Sequence, residues 1–506
     1  MLSFLIMNSI LESLSFKVNN ILQYILIVPL LTLVLILIIA PLGNRIIYNV
    51  SLISMGISFI LSILLWFFFD GVLGGFQQTY HITIIPSFLS DLRLGVDGIS
   101  IFFVILTNLF IYLCVFSLNK TTENLVDTIF HLLFLQWSVL ASFLFIDILG
   151  FFLFFEMTLI PIYFLVLFWG SRERRVRASY MISIYTLLGS IFLFFNLLYI
   201  YSKTGSTDYE VLLNIQLSTE DQIFIWLTFF LSFAAKIPLF PLHIWLPEAH
   251  VEAPTLGSVL LAVLLLKLGT YGMIRFSIPF LPEGTIVYSG IVVLFAILGI
   301  VYTCMTAIRQ IDLKKIIAYS SVGHMNVVLL GIIAMTSEAL QGSIFQMLSH
   351  GVVSGALFFS VGSLYSRYSV RSLKYFGGLV YLYPWLAVCF FIFSLANISF
   401  PLTSSFVGEF LILMGFFKHS FWATFFASTS MVLGAVYTLW TFNRIFFGNI
   451  KVLSVIYYKD LEKKEIHLFL ILFFVLMFMG ISPYILLDDM LVDCLNVIEH
   501  AKITIV

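Results

Sequence analysis

Four ionisable residues stand near the middle of long apolar runs in this sequence: Glu156, Lys236, Lys267 and Glu409. Placing one such charge at the centre of a bilayer costs about 2.5–3.5 kcal/mol on insertion scales. None of the four has an opposite charge three or four positions away, where a helix would bring it alongside. Their partners must come from other helices, which implies a polar interior across a bundle. A structural ion pair, or an end residue snorkelling to the interface, fits poorly with positions so far inside the runs. Two histidines join them, His324 in AYSSVGHMN and His350 in FQMLSHGVVSG. A lone histidine in a bundle is more often a packed, hydrogen-bonded residue, but two of them on runs neighbouring that of Lys267 shift the reading toward chemistry. Histidine exchanges protons near neutral pH. Buried lysine can join in, because burial and a neighbouring carboxylate act on its proton affinity in opposite senses. A Glu–Lys pair whose separation changes is a device for loading and unloading a proton. The chemistry these types could carry together is stepwise proton movement. His243, Glu248 and His250 offer a metal-binding alternative, but H-x4-E-x-H matches no zinc spacing and prolines break the helix that would align it.

Such residues have to be held by membrane helices. Of 506 residues, 61% are hydrophobic and only 10% charged, where a soluble domain is about half apolar and a quarter charged. A span needs about 20 apolar residues. Runs of that kind fall near 21–40, 46–69, 98–118, 128–147, 149–169, 179–201, 222–240, 253–276, 288–308, 313–334, 340–366, 383–412, 421–443 and 466–487, about fourteen in all. Loops after odd-numbered spans hold Arg45, Lys120, Arg172, Arg174, Arg175, Arg177, Arg309, Lys314, Lys315, Arg367, Arg371, Lys374, Arg444, Lys451, Lys459, Lys463 and Lys464. The opposite side holds only Lys17, Arg93, Lys203, Arg275, Lys418 and Lys502. A wrong span count would scramble this segregation. The positive-inside rule then puts the odd-numbered loops on the matrix or cytoplasmic side and both termini on the other.

Two spans are interrupted. In FAAKIPLFPLHIWLPEAHVEAPT, Pro238 and Pro241 remove backbone donors just after Lys236; in NISFPLTSSFVGEFL, Pro401 and a Ser/Thr cluster break the run before Glu409. Inside a membrane, non-helical backbone survives only where protein buries it or a wet cavity borders it. Interrupted spans in corresponding positions of two halves point to an inverted repeat. Here they are the seventh and twelfth spans, five apart, so the repeat unit is five spans. The chain divides into 1–127 (spans one to three), 128–276 (first repeat), 288–447 (second, inverted repeat) and 448–506 (last span and tail).

Composition narrows the rest. A net charge of −1 offers no basic field for nucleic acid. The four cysteines are far apart without a CxxC pair, so neither an iron–sulfur cluster nor a structural zinc site is expected. No G-x-G-x-x-G or Walker A loop occurs. The first 20 residues lack the form of a signal peptide, and the Phe, Ile and Leu bias suits an A/T-rich organelle genome.

The segments FFEMTLIPIYFLV, FAAKIPLFPLHIWLPEAHVEAPTLGSVLLAVLLLKLGTYG, DLKKIIAYSSVGHMN and SFPLTSSFVGEF, in this order, resemble the antiporter-like membrane subunits of respiratory complex I, the NADH–ubiquinone oxidoreductase. The resemblance covers about residues 90–450. It implies an all-α polytopic fold of about fourteen transmembrane helices, with two inverted five-helix repeats and two broken helices. It also implies a proton path along a hydrated mid-membrane axis. Glu156 and Lys236 would form a modulating ion pair, Lys267, His324 and His350 a central relay, and Glu409 the terminal loading residue, with His243 beside the broken helix. Sister chains typically carry lysine where this one has Glu409, which sets it apart from them within the family. Flavin, iron–sulfur clusters and ubiquinone would sit in other subunits, with neighbouring antiporter-like chains and lipids as further partners. The implied location is the mitochondrial inner membrane, with a bacterial plasma membrane as alternative and both termini on the intermembrane-space side. A subunit of an Mrp-type cation/proton antiporter, sharing fold and charged axis, is the rival.

Overall fold

The computed structural model describes residues 21–82, 92–119, 124–451 and 459–503. The expectations for residues 1–20, including Lys17, and for Lys120 lie outside the described residues. Within them, helix dominates, as a bilayer requires of any segment that cannot hydrogen-bond to water. Among the described residues, twelve helices are long and apolar enough to cross a membrane.

The chain forms two compact units, residues 1–161 with 197–215, and residues 162–196 with 216–506. In the first, α1 (Ile21–Ile39), α2 (Asn44–Phe67), α3 (Ser100–Ser117), α4 (Leu125–Leu144) and α5 (Ile148–Met157) pack as consecutive neighbours, and α1 also meets α4. Buried amides join them: Gln136 donates to Asn108 Oδ1 at 2.7 Å, and Asn108 to the Ser58 carbonyl at 3.3 Å. Between α2 and α3 run two short antiparallel strands, β1 (Gln77–Ile82) and β2 (Leu92–Val96). Span counting has no means of finding them. They place Arg93, read from sequence as a loop charge, 3.1 Å from both Asp208 and Glu210.

The second unit contains α6 (Leu159–Trp169) from residue 162, most of α7 (Arg175–Thr204) and the chain from Gln216 on, while α8 (Tyr209–Leu213) stays in the first. Both expected interruptions are present as breaks between shorter helices. α9 (Thr219–Lys236) is followed by α10 (Trp245–Glu252), and α15 (Pro384–Asn397) by α16 (Ser404–Phe417). α9 starts where Ser218 accepts from the Asp221 amide and acidic Glu220 and Asp221 meet the positive helix end. It stops at Lys236 because Pro238 and Pro241 follow. The Ala235 carbonyl, which the break deprives of a helical donor, accepts from the Trp245 indole at 2.9 Å.

Between the breaks lie α11 (Thr255–Phe280), α12 (Pro282–Arg309), α13 (Leu313–Ile333) and α14 (Ser337–Tyr368). After them come α17 (Phe421–Phe446), α18 (Lys463–Ile481) and α19 (Tyr484–Ile503). The helices divide into inner and outer. Across their apolar windows α11 and α14 are 100% buried and α13 is 94%, whereas α12 and α17 are 39%. The outer helices show Ile, Leu and Val outward, such as Ile291 and Leu294 on α12 and Val432 on α17. Small residues let the inner helices touch. A Cβ on Gly269 would lie 3.0 Å from the Phe233 carbonyl of α9, and one on Gly408 would lie 2.8 Å from the Gln346 Cα of α14.

Candidate functional site: a buried line of titratable groups

The three inner helices and the second break each carry one titratable residue of interest, and the fold brings these four together. Lys267 lies on α11, fully buried. Its Nζ donates to the Ala262 carbonyl, within a π-helical turn at Leu261–Leu265. Such turns shift carbonyls out of α-helical register and recur at functional positions. The same Nζ stands 2.9 Å from Nδ1 of His350 on α14. The His350 ring centroid is 5.6 Å from that of His324 on α13. His324 Nδ1 lies 2.7 Å from Glu409 Oε1, on α16 just beyond the break. His350 and Glu409 are 3% and 2% exposed and His324 9%. These values matter because charge in so dry a place survives only beside groups that answer it.

Two direct contacts and one gap make up the line. Nε2 of His324 and Nε2 of His350 are both buried and have no hydrogen-bond partner. A buried polar atom left unsatisfied costs about 1–3 kcal/mol, so each of these nitrogens would be stabilised by a hydrogen-bonding water. Neighbours pin the helices. Thr270 Oγ1 of α11 donates to Met347 Sδ of α14 at 2.7 Å, and Ser349 and Ser404 hydroxyls meet at 2.9 Å where α14 passes the start of α16.

The other expected residues fall elsewhere. Lys236 is the last residue of α9 and is buried; Glu156 stands on α5, in the first unit. His243, in the break, sits among aromatic rings, its centroid 5.6 Å from Phe240, 5.7 Å from Tyr302 and 6.5 Å from Tyr319. His250 lies flat on Phe358 at 4.8 Å. Among the described residues, no group of three His, Cys, Asp or Glu side chains is placed to hold a metal ion.

Several participants escape sequence reasoning. Gln346 Nε2 donates to Glu409 Oε1 at 3.2 Å. It precedes His350 by four positions, the spacing that puts both on one helical face, and that spacing was the available signal. Tyr437 of α17, fully buried, lies near Ser320, Asn397 and Glu409. Four supposed loop charges prove buried: Lys314, Arg367, Arg371 and Arg275. The pair Lys314–Lys315 shows why. Asp312 caps α13 by accepting from the Lys314 amide at 3.2 Å, and the next residue points about 100° around the helix. Lys314 therefore turns inward, while Lys315 turns to Glu248 at 2.7 Å. Counting charges per loop cannot see that phase.

Comparisons with known proteins agree with this architecture. Residues 146–434 match the family described as NADH:quinone oxidoreductase/Mrp antiporter, TM. A protein of Marchantia polymorpha named NADH-ubiquinone oxidoreductase chain 4 is 43% identical over 482 residues, 94% of this chain and 97% of that one. A chain of respiratory complex I from Thermus thermophilus, solved with bound NADH, superposes with a TM-score of 0.85 at 29% identity, covering 96% of this chain and 99% of that one. A chain of the Mrp complex from Dietzia sp. shares the fold, with a TM-score of 0.83 at 19% identity, covering 96% of this chain and 99% of that one.

Proposed function

The chain belongs to the family of antiporter-like membrane subunits of NADH:quinone oxidoreductase, with the chain 4 proteins, and on that premise we propose that it carries protons through the membrane arm of that complex. The observation that carries the reading is the buried line Lys267–His350–His324–Glu409, which spans four helices and has two direct contacts, at 2.9 and 2.7 Å. A protein that needed these helices only as a scaffold would gain stability from apolar residues there, since buried ionic pairs seldom outdo well-packed hydrophobic ones. The Mrp-type antiporter reading is the weaker one: the Mrp chain shares the fold at 19% identity, the complex I chain at 29%.

In this reading the chain takes part in NADH:ubiquinone oxidoreduction without redox chemistry of its own. Flavin, iron–sulfur clusters and ubiquinone belong to other subunits of the complex, and neighbouring antiporter-like chains and lipids complete its surroundings in the mitochondrial inner membrane. Lys236 and Glu156 act upstream of Lys267 as an ion pair whose changing separation alters the proton affinity of the line, and His243 serves beside the broken helix. Purification in mild detergent should bring flavin and iron–sulfur subunits with the chain. Lys236→Met in that preparation should cut NADH-driven proton pumping about tenfold or more with assembly intact, the usual size of a proton-transfer contribution being 10²–10⁴. Glu156→Gln should add little to Lys236→Met if the two act as one unit. Additive losses, or full pumping in Lys236→Met, would count against the pair.

Counted as one crossing each, α9 with α10 and α15 with α16 raise the twelve long helices to fourteen. They are then the corresponding broken helices of the two inverted repeats, 128–276 and 288–447, with both termini on the intermembrane-space side. Seven crossings would separate residue 171 from residue 419. Cysteines placed at Ser171 and His419, an exposed residue between α16 and α17, should therefore react with a membrane-impermeant thiol reagent from opposite faces, Ser171 from the matrix. Labelling of both from one face would remove one of the interrupted crossings.

A further inference from the structure

The outer helix α17 ends beside a cavity of about 320 Å³, lined by Phe376 and Gly377 from the loop after α14 and chiefly by Trp440, Asn443, Arg444 and Lys451 from α17 and the turn beyond it. Ordinary ligand sites run from about 300 to 1,000 Å³. Its walls are tied together. The Gly378 amide donates to the Phe447 carbonyl at 3.0 Å, and Lys451 Nζ donates to the Lys374 carbonyl at 2.9 Å. Gly378 has φ +67°, and a Cβ there would stand 2.8 Å from the Gly448 carbonyl, so glycine lets the two loops meet.

Charge sets this cavity apart. Elsewhere at the Lys/Arg-rich end, Lys315 pairs with Glu248 at 2.7 Å, Arg172 with Asp312 at 3.8 Å and Arg367 with Glu465 at 2.6 Å. Among the described residues, Arg444 has no carboxylate partner, Lys451 meets a neutral carbonyl instead, and no acidic side chain lines the cavity. The C-terminus of α17 contributes about half a negative charge, which two full cations outweigh. The Asn443 amide and the Trp440 indole add neutral donors. The cavity suits an anion rich in acceptor oxygens.

Its position says which anion. Val432, Val436, Trp440 and Arg444 follow at steps of four along α17, and all are exposed. One outward stripe therefore leads from bare apolar side chains to the cavity. Trp422 and Trp440, both exposed, lie eighteen residues apart, about 27 Å along a helix and close to the roughly 30 Å of a hydrocarbon core. Tryptophans gather at headgroup level, which sets Trp440 at one membrane surface and Arg444 one turn beyond it.

We propose that this cavity binds the phosphodiester headgroup of an anionic phospholipid, with Arg444 and Lys451 answering its charge and the acyl chains lying along Val436 and Val432. Free phosphate offers the same oxygens without the chains, and the apolar stripe favours the lipid. The site needs only that the chain lie in a membrane, and it does not draw on the proton-carrying role.

The test uses the assembled complex in phosphatidylcholine vesicles that hold a trace of photoreactive lipid. The carbene precursor sits in the acyl chain, and the headgroup is either anionic phosphatidylglycerol or zwitterionic phosphatidylcholine. Cross-linked peptides are located by mass spectrometry, with assembly checked on a native gel. A Lys or Arg at a membrane surface favours an anionic lipid about fivefold, so two should give the phosphatidylglycerol probe a preference of about tenfold or more on the α17 segment around Val436. Arg444→Gln should lower that preference about fivefold, Arg444→Lys should keep most of it, and Arg444→Gln with Lys451→Gln should abolish it. Equal labelling by both probes, no labelling of α17 because a neighbouring subunit covers it, or an unchanged preference in the double variant overturns the proposal. So does an equal preference on the outward face of α12, at Ile291 and Leu294, which would mean a diffuse field in place of a site. If the double variant fails to assemble, the comparison of α17 with α12 in the unchanged complex decides. Millimolar inorganic phosphate at matched ionic strength should leave the preference intact; its loss would give the cavity to the free anion and overturn the lipid assignment.

Discussion

Lys267→Met is expected to lower NADH-driven proton pumping by roughly two orders of magnitude, within the range by which a positioned proton donor contributes, while the complex still assembles. Methionine is unbranched, flexible and close in length, so it fills the lysine's place between α11 and α14 without leaving a void. The substitution also strips the Ala262 carbonyl and His350 Nδ1 of their donor. Two orphaned acceptors at about 1–3 kcal/mol each should lower thermal stability measurably without preventing folding. Lys267→Arg makes the discriminating comparison. It preserves charge and donors, and it holds its proton at any accessible pH. If Lys267 must give up its proton, the arginine variant pumps no better than the methionine variant. If only a fixed positive charge is needed next to His350, arginine restores pumping, and the relay reading fails at its first member. Proton uptake by vesicles and assembly on a native gel have to be measured side by side, so that a missing subunit is not mistaken for a blocked path.

What made Lys267 visible in the sequence was cost: a lysine inside an apolar run has to be explained, whatever the fold. The same holds for Glu156, Lys236 and Glu409, and Pro238 and Pro241 announced the break between α9 and α10 equally plainly. Histidines carry less signal, because an imidazole in a helix is ordinary. His324 and His350 gain meaning only once α13 and α14 set their rings 5.6 Å apart. Gln346 and Tyr437 are neutral and carry almost none, although Gln346 shares the Glu409 oxygen with His324. Lys314 was misread for a different reason. Proximity to a loop in sequence says nothing about which way a first-turn side chain points, and that direction depends on helix phase and on what packs there. The strands β1 and β2, between α2 and α3, lie beyond the reach of hydropathy because they alternate and are short. Composition and spacing thus reveal what is expensive in a membrane, and only packing reveals what is merely adjacent.

Glu409 is where adjacency changes an expectation. Reasoning from residue type alone, lysine should serve there nearly as well as glutamate, since the resembling sister chains carry it. The geometry argues otherwise for this chain. Glu409 Oε1 accepts from Gln346 Nε2 at 3.2 Å and lies 2.7 Å from His324 Nδ1, so the carboxylate is the counter-charge of His324 whenever that ring is protonated. Glu409→Gln keeps the shape and removes both the charge and the titration. Pumping should fall about a hundredfold, again within the range of a lost proton-transfer group. Glu409→Asp withdraws the carboxylate by one methylene, stretches the 2.7 Å contact and should retain part of the activity. Glu409→Lys replaces attraction with repulsion. Two like charges about 4 Å apart cost about 4 kcal/mol at an effective dielectric constant of 20, roughly a thousandfold in the population of protonated His324. Lysine should therefore pump no better than glutamine here, unlike a position that needs only some titratable group. Substituting His324 at the same time tests the reason: in a His324→Gln background the lysine penalty should shrink toward that of the glutamine variant. Pumping by Glu409→Lys well above that of Glu409→Gln would show that the His324 contact is dispensable. Full pumping by Glu409→Gln would take Glu409 out of the path altogether, leaving the line to end at His324.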